Sequence, residues 1–324
     1  MKNKYNRTIF FEEYVHINGI DHYLLHSGTK YSNPLMLFLH GGPGFAESTI
    51  SYIFQKQWEE IYTVVHWDQR GAGKTFTKNP NETPTFDLLL EDLFLIIQYL
   101  KERYKKQKII LFGHSWGTIL GSIFVKNFPD EIEYYIGTGQ VINMFDNERV
   151  GYEKVKELAL QANDKKSLRE LKALGDYPGG SYGISFKNKS AKLRVIQGRY
   201  HLAVTGNFSL ILAFMKSPTF KLSDITALMK MDKPNKELIN YWCKFDLRSE
   251  SEEYKTPIYY ILGEDDWQTP YIISEEYFKT INAPRKKLYL IPDAGHMAMM
   301  DQPNLFFGTL SEIRNEEGKI STIE

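Results

Sequence analysis

Ser115 lies between two glycines in the pattern Gly-x-Ser-x-Gly, formed by residues 113–117. The apolar run at residues 109–112 is of strand type, and the apolar residues after the pattern recur at helical spacing. A strand that turns sharply into a helix strains the serine backbone and exposes its hydroxyl beside the free N–H groups of the helix N-terminus. Because both flanking elements are present, we expect Ser115 to be a nucleophile and not part of an ordinary Ser/Gly turn.

A serine nucleophile requires a base to accept its proton and an acid to orient that base. Polar groups of both kinds follow two later strands, because Asp266 lies after one apolar run and His296 after the next. The chain order Ser, Asp, His is the order typical of a strand–turn–helix nucleophile. We therefore predict that Ser115, Asp266 and His296 are the catalytic residues.

Other residues of suitable chemistry lie near these positions. Asp265 is the nearest alternative to Asp266. The remaining acidic alternatives are Glu264 and Asp293. Among the eight histidines, His296 alone follows both a glycine and a late strand and lies after the candidate acid. His114, which precedes the nucleophile, is expected to have a structural role.

A glycine-rich segment follows the apolar run that ends at His40. Attack on an acyl carbon places negative charge on the carbonyl oxygen, so two N–H donors are needed to stabilise it. The N–H of Trp116, the residue after the nucleophile, would be one donor. Residues 41–44 read Gly-Gly-Pro-Gly and let the backbone approach a ligand without a Cβ in the way. We choose Gly42 as the second donor, with Phe45 as the alternative.

The elements that must position these residues alternate between strand and helix. Asn18 and Gly19 separate two β-type segments and indicate an opening hairpin. Buried strands are predicted at residues 34–40, 62–67, 109–112, 134–137, 257–262 and 288–291. Apolar residues between Thr85, a candidate N-cap, and Tyr104 fit one face of a long helix. The alternation predicts an α/β fold with a mainly parallel sheet and helices on both faces.

The pattern changes between residues 140 and 251, where charged, helix-like segments occur without a clear buried strand. The strand–helix alternation resumes after residue 251. We therefore predict that residues 1–139 and 252–324 form the core and that residues 140–251 form an inserted helical lid.

The composition limits the class of protein. Hydrophobic residues make up 42% and charged residues 25% of the 324 residues, which is typical of a globular protein. Lys+Arg and Asp+Glu both number 40, so we expect no binding to nucleic acid or to a membrane. The single cysteine, Cys243, excludes an internal disulfide, and no apolar stretch is long enough to span a bilayer. We expect a cytoplasmic protein without cofactor or metal that acts on a small molecule or short peptide.

Three motifs occur in order and together resemble the proline iminopeptidase branch of the α/β-hydrolase superfamily. They are His-Gly-Gly-Pro-Gly at residues 40–44, Trp-Asp-Gln-Arg-Gly-Ala-Gly at 67–73 and Gly-His-Ser-Trp-Gly at 113–117. The resemblance covers the whole predicted core and implies an α/β-hydrolase fold with a helical lid. For the site it implies a triad of Ser115, Asp266 and His296, an oxyanion hole from Gly42 and Trp116, and a bracing loop of Asp68, Gln69 and Arg70.

The resemblance also gives expectations for the lid. In proline iminopeptidases, lid glutamates hold the free α-amine of the substrate, and one of them lies in a Trp-Glu segment. Here Trp242 is the only tryptophan of the insertion, and Cys243 follows it. The apolar segment at residues 210–215 is expected to line the pocket. The substrate-binding residues that we expect are Gly41, Glu148, Glu153 and Phe214.

These inferences predict a serine hydrolase that forms an acyl-enzyme on Ser115. The resemblance favours an aminopeptidase that releases an N-terminal residue from short peptides or aminoacyl amides. A carboxylesterase acting on small or hydrophobic esters is the alternative, and the two differ in whether the substrate must carry a free amine. A ligand receptor without catalysis is a third hypothesis, against which the Ser, Asp and His set argues.

Overall fold

The computed structural model describes residues 7–180, 182–203 and 210–320. At its centre lies an eight-stranded sheet with the order β1-β2-β4-β3-β5-β6-β7-β8. The strands are β1 (Ile9–Ile17), β2 (Ile20–Gly28), β3 (Leu35–Leu39), β4 (Thr63–Asp68), β5 (Ile109–His114), β6 (Ile132–Thr138), β7 (Ile258–Gly263) and β8 (Lys286–Ile291). All pairings from β4 to β8 are parallel, whereas β1 and β2 pair antiparallel with each other and β2 pairs antiparallel with β4.

The hairpin of β1 and β2 turns at the predicted Asn-Gly pair. Asn18 has φ 48° and Gly19 has φ 80°, so both residues are in the left-handed region that a tight two-residue hairpin turn requires.

Helices cover the sheet between the strands. In the core they are α1 (Trp58–Ile61), α2 (Gly73–Lys78), α3 (Phe86–Tyr104), α4 (Trp116–Asn127), α11 (Tyr271–Thr280), α12 (Ala298–Asp301) and α13 (Pro303–Ile320). The predicted cap is present, because the Thr85 hydroxyl oxygen accepts a hydrogen bond of 3.2 Å from the N–H of Leu88 at the start of α3. In the part of the chain that the structure describes, no helix is both long enough and apolar enough to cross a membrane.

Each face of the sheet has its own apolar core. Successive side chains of a strand point to opposite faces, so Leu37 and Leu111 pack toward α3 and α4, while Phe38 and Phe112 pack toward α1 and α13. Trp58 of α1 stacks between these elements, with its ring 5.4 Å from that of Phe306. The predicted α/β fold with a mainly parallel sheet and helices on both faces is confirmed.

A group of helices lies between β6 and β7 and within the range predicted for the lid. These are α5 (Met144–Gln161), α6 (Lys165–Lys172), α7 (Gly183–Gly198), α8 (Leu210–Lys216), α9 (Leu222–Lys230) and α10 (Lys236–Lys244). Val155, Leu171 and Leu193 belong to an apolar cluster of their own. A buried ion pair of 3.0 Å joins Asp224 of α9 to Lys74 of α2, so this group is anchored to the core.

Two histidines of the core are completely enclosed. His40 donates from Nδ1 to the Gly41 carbonyl (2.8 Å) and accepts at Nε2 from the Gln69 N–H (3.1 Å). Nε2 of His66 lies 2.6 Å from Oε1 of Gln55. Burial lowers the pKa of His40 to about 4 and the pKa of His66 to about 3. Both rings are therefore neutral at physiological pH.

We predict that the free energy of unfolding falls as the pH is lowered from about 6.5 to about 4. An unperturbed histidine has a pKa near 6.5, so the unfolded chain takes up protons in this range that folded His40 and His66 do not bind. Burial raises the pKa of Asp68 to about 6 and also raises the pKa of Glu133. These two carboxyl groups take up protons in the folded chain and therefore oppose part of the loss of stability. Denaturant unfolding across this range measures the effect.

The variant His66→Gln serves as the comparison. It removes one of the two titrating rings, so its stability should depend less steeply on pH over the same range. A midpoint that stays constant or rises on acidification of the wild-type protein would contradict the prediction.

Candidate active site

Ser115 occupies the sharp turn between β5 and α4. Its backbone has φ 52° and ψ −118°, a conformation that is strained for a residue with a side chain. The flanking glycines make the turn possible: a Cβ on Gly113 would lie 2.8 Å from the carbonyl oxygen of Gly117, and a Cβ on Gly117 would lie 2.1 Å from that of Leu39. The Ser115 N–H donates to the Thr138 carbonyl of β6 at 3.0 Å, which fixes the turn on the neighbouring strand.

Asp266 and His296 are in direct contact. Oδ2 of Asp266 lies 2.8 Å from Nδ1 of His296, and both side chains are buried. The Asp266 carboxylate also accepts from the N–H of Gln268 (2.9 Å), the N–H of Thr269 (2.9 Å) and the Thr269 hydroxyl (2.7 Å). Burial alone would raise the pKa of Asp266, but His296 and the Thr269 donors hold it below its ordinary value. The carboxylate therefore stays charged and orients the imidazole.

The other acidic alternatives occupy different surroundings. Asp265 is half-buried, and its N–H donates to the Ala294 carbonyl at 2.8 Å. Glu264 and Asp293 are exposed. Among the candidates, it is the Asp266 carboxylate that contacts His296.

His296 lies beside the serine turn. Its carbonyl oxygen accepts a 3.1 Å hydrogen bond from Nε2 of His114, the residue before Ser115, and the rings of the two histidines are 5.0 Å apart. Gly139 also approaches closely, because a Cβ there would be 2.9 Å from Cε1 of His296. Residue 139, directly after β6, therefore has to be glycine to leave room for the imidazole of His296.

A buried carboxylate connects the serine turn to the glycine-rich loop. Oε1 of Glu47 forms a 2.8 Å ion pair with Nδ1 of His114, and Oε2 accepts from the N–H of Gly41 at 3.1 Å. Burial alone would lower the pKa of His114, but the charge of Glu47 raises it above the ordinary value. The buried carboxylate therefore favours the protonated form of His114. The sequence analysis missed Glu47, because a loop glutamate is usually exposed.

The two expected oxyanion donors flank the serine. Trp116 is the first residue of α4, so its N–H has no acceptor within the helix. Its indole Nε1 donates to Oε1 of Gln69 at 3.0 Å, which fixes the side chain away from that N–H. Gly42 lines the same cavity as Ser115 and has φ 124°, and a Cβ there would lie 2.4 Å from the nitrogen of Gly44.

Two further residues of the glycine-rich loop have other partners. The N–H of Phe45, the alternative donor, is bound to the Gly41 carbonyl at 3.3 Å. Gly41 lies close to Ser115, because a Cβ on it would be 3.4 Å from Cβ of Ser115. The N–H of Gly41 is held by Glu47, so the N–H groups of Gly41 and Phe45 both already have acceptors, and Gly42 stays the expected donor of the loop.

The segment at residues 67–73 forms hydrogen bonds that hold the end of β3 and the start of α4 together. Gln69 bridges the ends of two elements, because its Nε2 donates to the His40 carbonyl (3.3 Å) and its Oε1 accepts from Trp116 (3.0 Å). Asp68 accepts from the Ser48 hydroxyl (2.6 Å) and from the N–H of Lys74 (2.7 Å). Asp68, Gln69 and Arg70 are all buried, so this segment is not a surface turn.

A cavity of about 160 Å³ lies between the serine turn and the lid. Its lining consists of Gly42, Ser115, Val141, Gln268 and Thr269 of the core side and Met144, Lys187, Ser190, Ala191, Arg194 and Trp242 of the lid side. The charged side chains in this lining are both cations.

The expected lid acids lie elsewhere. Glu148 is completely buried behind the cavity wall, where it accepts from the Ser190 hydroxyl at 3.1 Å and contacts Arg194 and the Tyr177 hydroxyl. The Glu153 side chain is 59% exposed on the outer face of α5 and pairs with Lys156 at 3.3 Å. The expectation that Glu153 faces the substrate therefore does not agree with its position, since the packing of α5 turns it to solvent.

The apolar segment at residues 210–215 differs from its expectation as well. Phe214 is buried in the apolar cluster on the α13 face of the sheet, together with Ala213 and Met297, and is not part of the cavity lining. Leu212 and Met215 are largely exposed. The side chains of residues 210 and 211 lie outside the described part of the chain.

Comparisons with known proteins show the family of the chain. Residues 34–303 match a family model described as alpha/beta hydrolase fold. The Probable aminopeptidase YbaC of Bacillus subtilis (strain 168) is 27% identical over 309 residues, which cover 94% of this chain and 96% of that protein. The Proline iminopeptidase of Heyndrickxia coagulans is 22% identical over 280 residues, 86% of this chain and 90% of that protein.

Solved structures give the same result for the fold. The Proline iminopeptidase of Mycobacterium smegmatis superimposes with a TM-score of 0.68 at 18% identity, covering 96% of this chain and 100% of the other. At this identity the superposition is evidence for the fold alone. The match of the family model to most of the chain means that the protein belongs to the α/β-hydrolase family, and within it the protein resembles the proline iminopeptidase-like branch.

Proposed function

We propose that the protein is a serine hydrolase that forms an acyl-enzyme on Ser115. The observation that carries the proposal is the buried 2.8 Å contact of Asp266 with His296, beside a serine held in a strained turn. His296 would accept the Ser115 hydroxyl proton as the oxygen attacks the acyl carbon. Asp266 would keep the imidazole in the correct tautomer and stabilise the imidazolium that forms.

The same proposal gives roles to the backbone donors. The N–H groups of Trp116 and Gly42 would bind the oxygen that becomes negative in the tetrahedral intermediate. The imidazolium of His296 then donates its proton to the leaving group, and the acyl group remains on Ser115. Water, deprotonated by His296, attacks the ester carbon and releases the acid.

For the substrate we propose short peptides or aminoacyl amides, from which the N-terminal residue is released. The support is the similarity over most of the chain to proteins named aminopeptidase and proline iminopeptidase. The small volume of the cavity beside Ser115 also favours a small acyl group over a folded protein.

A carboxylesterase is the second candidate, and one observation favours it. Specificity for a free amine requires a carboxylate that pairs with the ammonium group in the pocket, because an unpaired buried charge is strongly unfavourable. Among the described residues, the cavity lining contains Lys187 and Arg194 but no acidic side chain. An ester without an amine would meet no such requirement.

We predict that the Ser115→Ala variant loses about 10⁴- to 10⁶-fold in kcat on any substrate that the enzyme accepts. Aminoacyl-β-naphthylamides, their N-acetylated forms and p-nitrophenyl esters form the panel. Loss of turnover on blocking the amine would support the aminopeptidase, whereas equal rates on free and N-acetylated forms would support the esterase. Labelling by a fluorophosphonate that persists in Ser115→Ala would contradict the nucleophile.

We further predict that Asp266→Asn lowers kcat by about 10³- to 10⁴-fold, because the amide no longer accepts from His296 and favours the wrong tautomer. The matched control is Asp265→Asn, the neighbouring carboxylate, which should change kcat little. Steady-state kinetics of both variants measure the difference. The reverse ranking would move the acid by one residue.

A third prediction for the site concerns Glu47, which we propose as a positioning residue. Glu47→Gln removes the charge that favours protonated His114, so the hydrogen bond from His114 to the His296 carbonyl weakens. We expect kcat to fall by up to about 10²-fold with little change in KM, because small displacements of a base are costly. Glu60→Gln, an exposed glutamate of α1, is the control. An unchanged kcat in folded Glu47→Gln protein would rule out this role.

A further inference from the structure

Helix α7 presents a polar stripe to the cavity beside Ser115. Lys187, Ser190, Ala191 and Arg194 all line this cavity, and their spacing of three, one and three residues places them on one face of a helix. The opposite side of α7 contributes apolar residues to the core of the lid, including Leu193. Packing of the apolar side thus fixes which residues face the nucleophile, and two of them carry a positive charge.

The guanidinium of Arg194 is held in position from behind. Glu148 contacts its Nη2 and is itself 0% exposed, and Gln197 accepts from its Nη1 at 2.5 Å. Gln197 is anchored in turn, because its Nε2 donates to the Trp267 carbonyl at 2.9 Å. A guanidinium has five N–H donors, so these contacts leave donors available on the cavity side. Glu148 therefore orients the guanidinium of Arg194 and leaves room for a second anion on the cavity side.

Lys187 is less well compensated. Its ammonium contacts Asp232, whose side chain is 46% exposed, whereas that of Lys187 is only 19% exposed. An ion pair with a solvated partner stabilises a buried charge weakly. Burial lowers the pKa of Lys187 to about 8. A second anion on the cavity side would stabilise the charged form of this lysine.

We propose that Lys187 and Arg194 bind a carboxylate of the substrate, so that the enzyme acts on acyl compounds that carry a free carboxylate close to the scissile bond. This inference rests on the proposed serine hydrolase function and names its substrate class. The carboxylate belongs either to the acyl part, as in a half-ester of a dicarboxylic acid, or to the leaving part, as in a dipeptide with a free C-terminus. Both arrangements are compatible with one small cavity that contains Ser115 and both cations.

Matched substrate pairs test the proposal. The p-nitrophenyl monoester of glutaric acid is compared with its methyl ester, and Ala-Ala is compared with Ala-Ala-amide. In at least one pair, the carboxylate form should have a kcat/KM higher by about tenfold or more, as expected for a charge-assisted contact. The pair that responds identifies which side of the scissile bond carries the carboxylate. Equal values of kcat/KM in both pairs would overturn the proposal.

Variants of α7 test the assignment to these residues. In Lys187→Gln the ratio of kcat/KM for the carboxylate substrate to that for its neutral partner should fall by about tenfold, and Lys187→Arg should restore it. The matched control is Lys192→Gln, an exposed lysine of the same helix, which should leave the ratio unchanged. A ratio that is the same in wild type and Lys187→Gln would overturn the role of Lys187.

A binding measurement separates this inference from the proposed function. Glutarate should bind to the folded Ser115→Ala variant, measured by calorimetry, and should bind more weakly when Lys187→Gln is added. If glutarate binds but the wild-type enzyme turns over none of the esters and peptides tested, the hydrolase function is rejected and the anion site is retained. Turnover that Ser115→Ala abolishes, with no glutarate binding and no preference for carboxylate substrates, would reject the anion site and retain the hydrolase.

Discussion

The site depends on how closely the start of α4 packs against the end of β3. A Cβ on Gly117 would lie 2.1 Å from the Leu39 carbonyl oxygen, so glycine alone permits this approach. Because α4 begins there, Ser115 must turn within a single residue, at φ 52°. The chain leaving β3 must then pass directly over the serine, which brings Gly42 into the same cavity. One steric constraint between two backbones thus sets the positions of Ser115, of the N-terminus of α4 and of the glycine-rich loop.

The sequence predicted those features that depend on local backbone requirements. The Asn18-Gly19 turn, the Thr85 cap and the glycines around Ser115 are all fixed by short-range geometry, and the structure has each of them where the pattern indicated. The contact of Asp266 with His296 followed from the rule that such groups lie at strand ends. The α/β architecture followed from the alternation of strands and helices.

The orientation of lid side chains could not be predicted in this way. Glu148 and Glu153 lie on one helix, yet tertiary packing buries the first and leaves the second in solvent. Four residues of the cavity lining come from α7, whose mixture of charged and apolar residues gives no clear face in the sequence. Consequently the charged residues of the cavity lining are Lys187 and Arg194, and Glu148 contacts Arg194 without lining the cavity itself. Glu47 was missed for a related reason, since its partners are distant in sequence.

The buried pair of Lys74 and Asp224 fixes helix α9 of the lid to the core. Removing one partner of a buried ion pair destabilises a protein by about 3 to 5 kcal/mol, because the remaining charge is left unpaired. Asn235 adds a hydrogen bond of 2.8 Å to the Gly71 carbonyl in the same region. These contacts oppose movement of α9 away from α2. Lys187 and Arg194 both lie on α7 and line the cavity, so any movement of this helix changes the distance of both positive charges from Ser115.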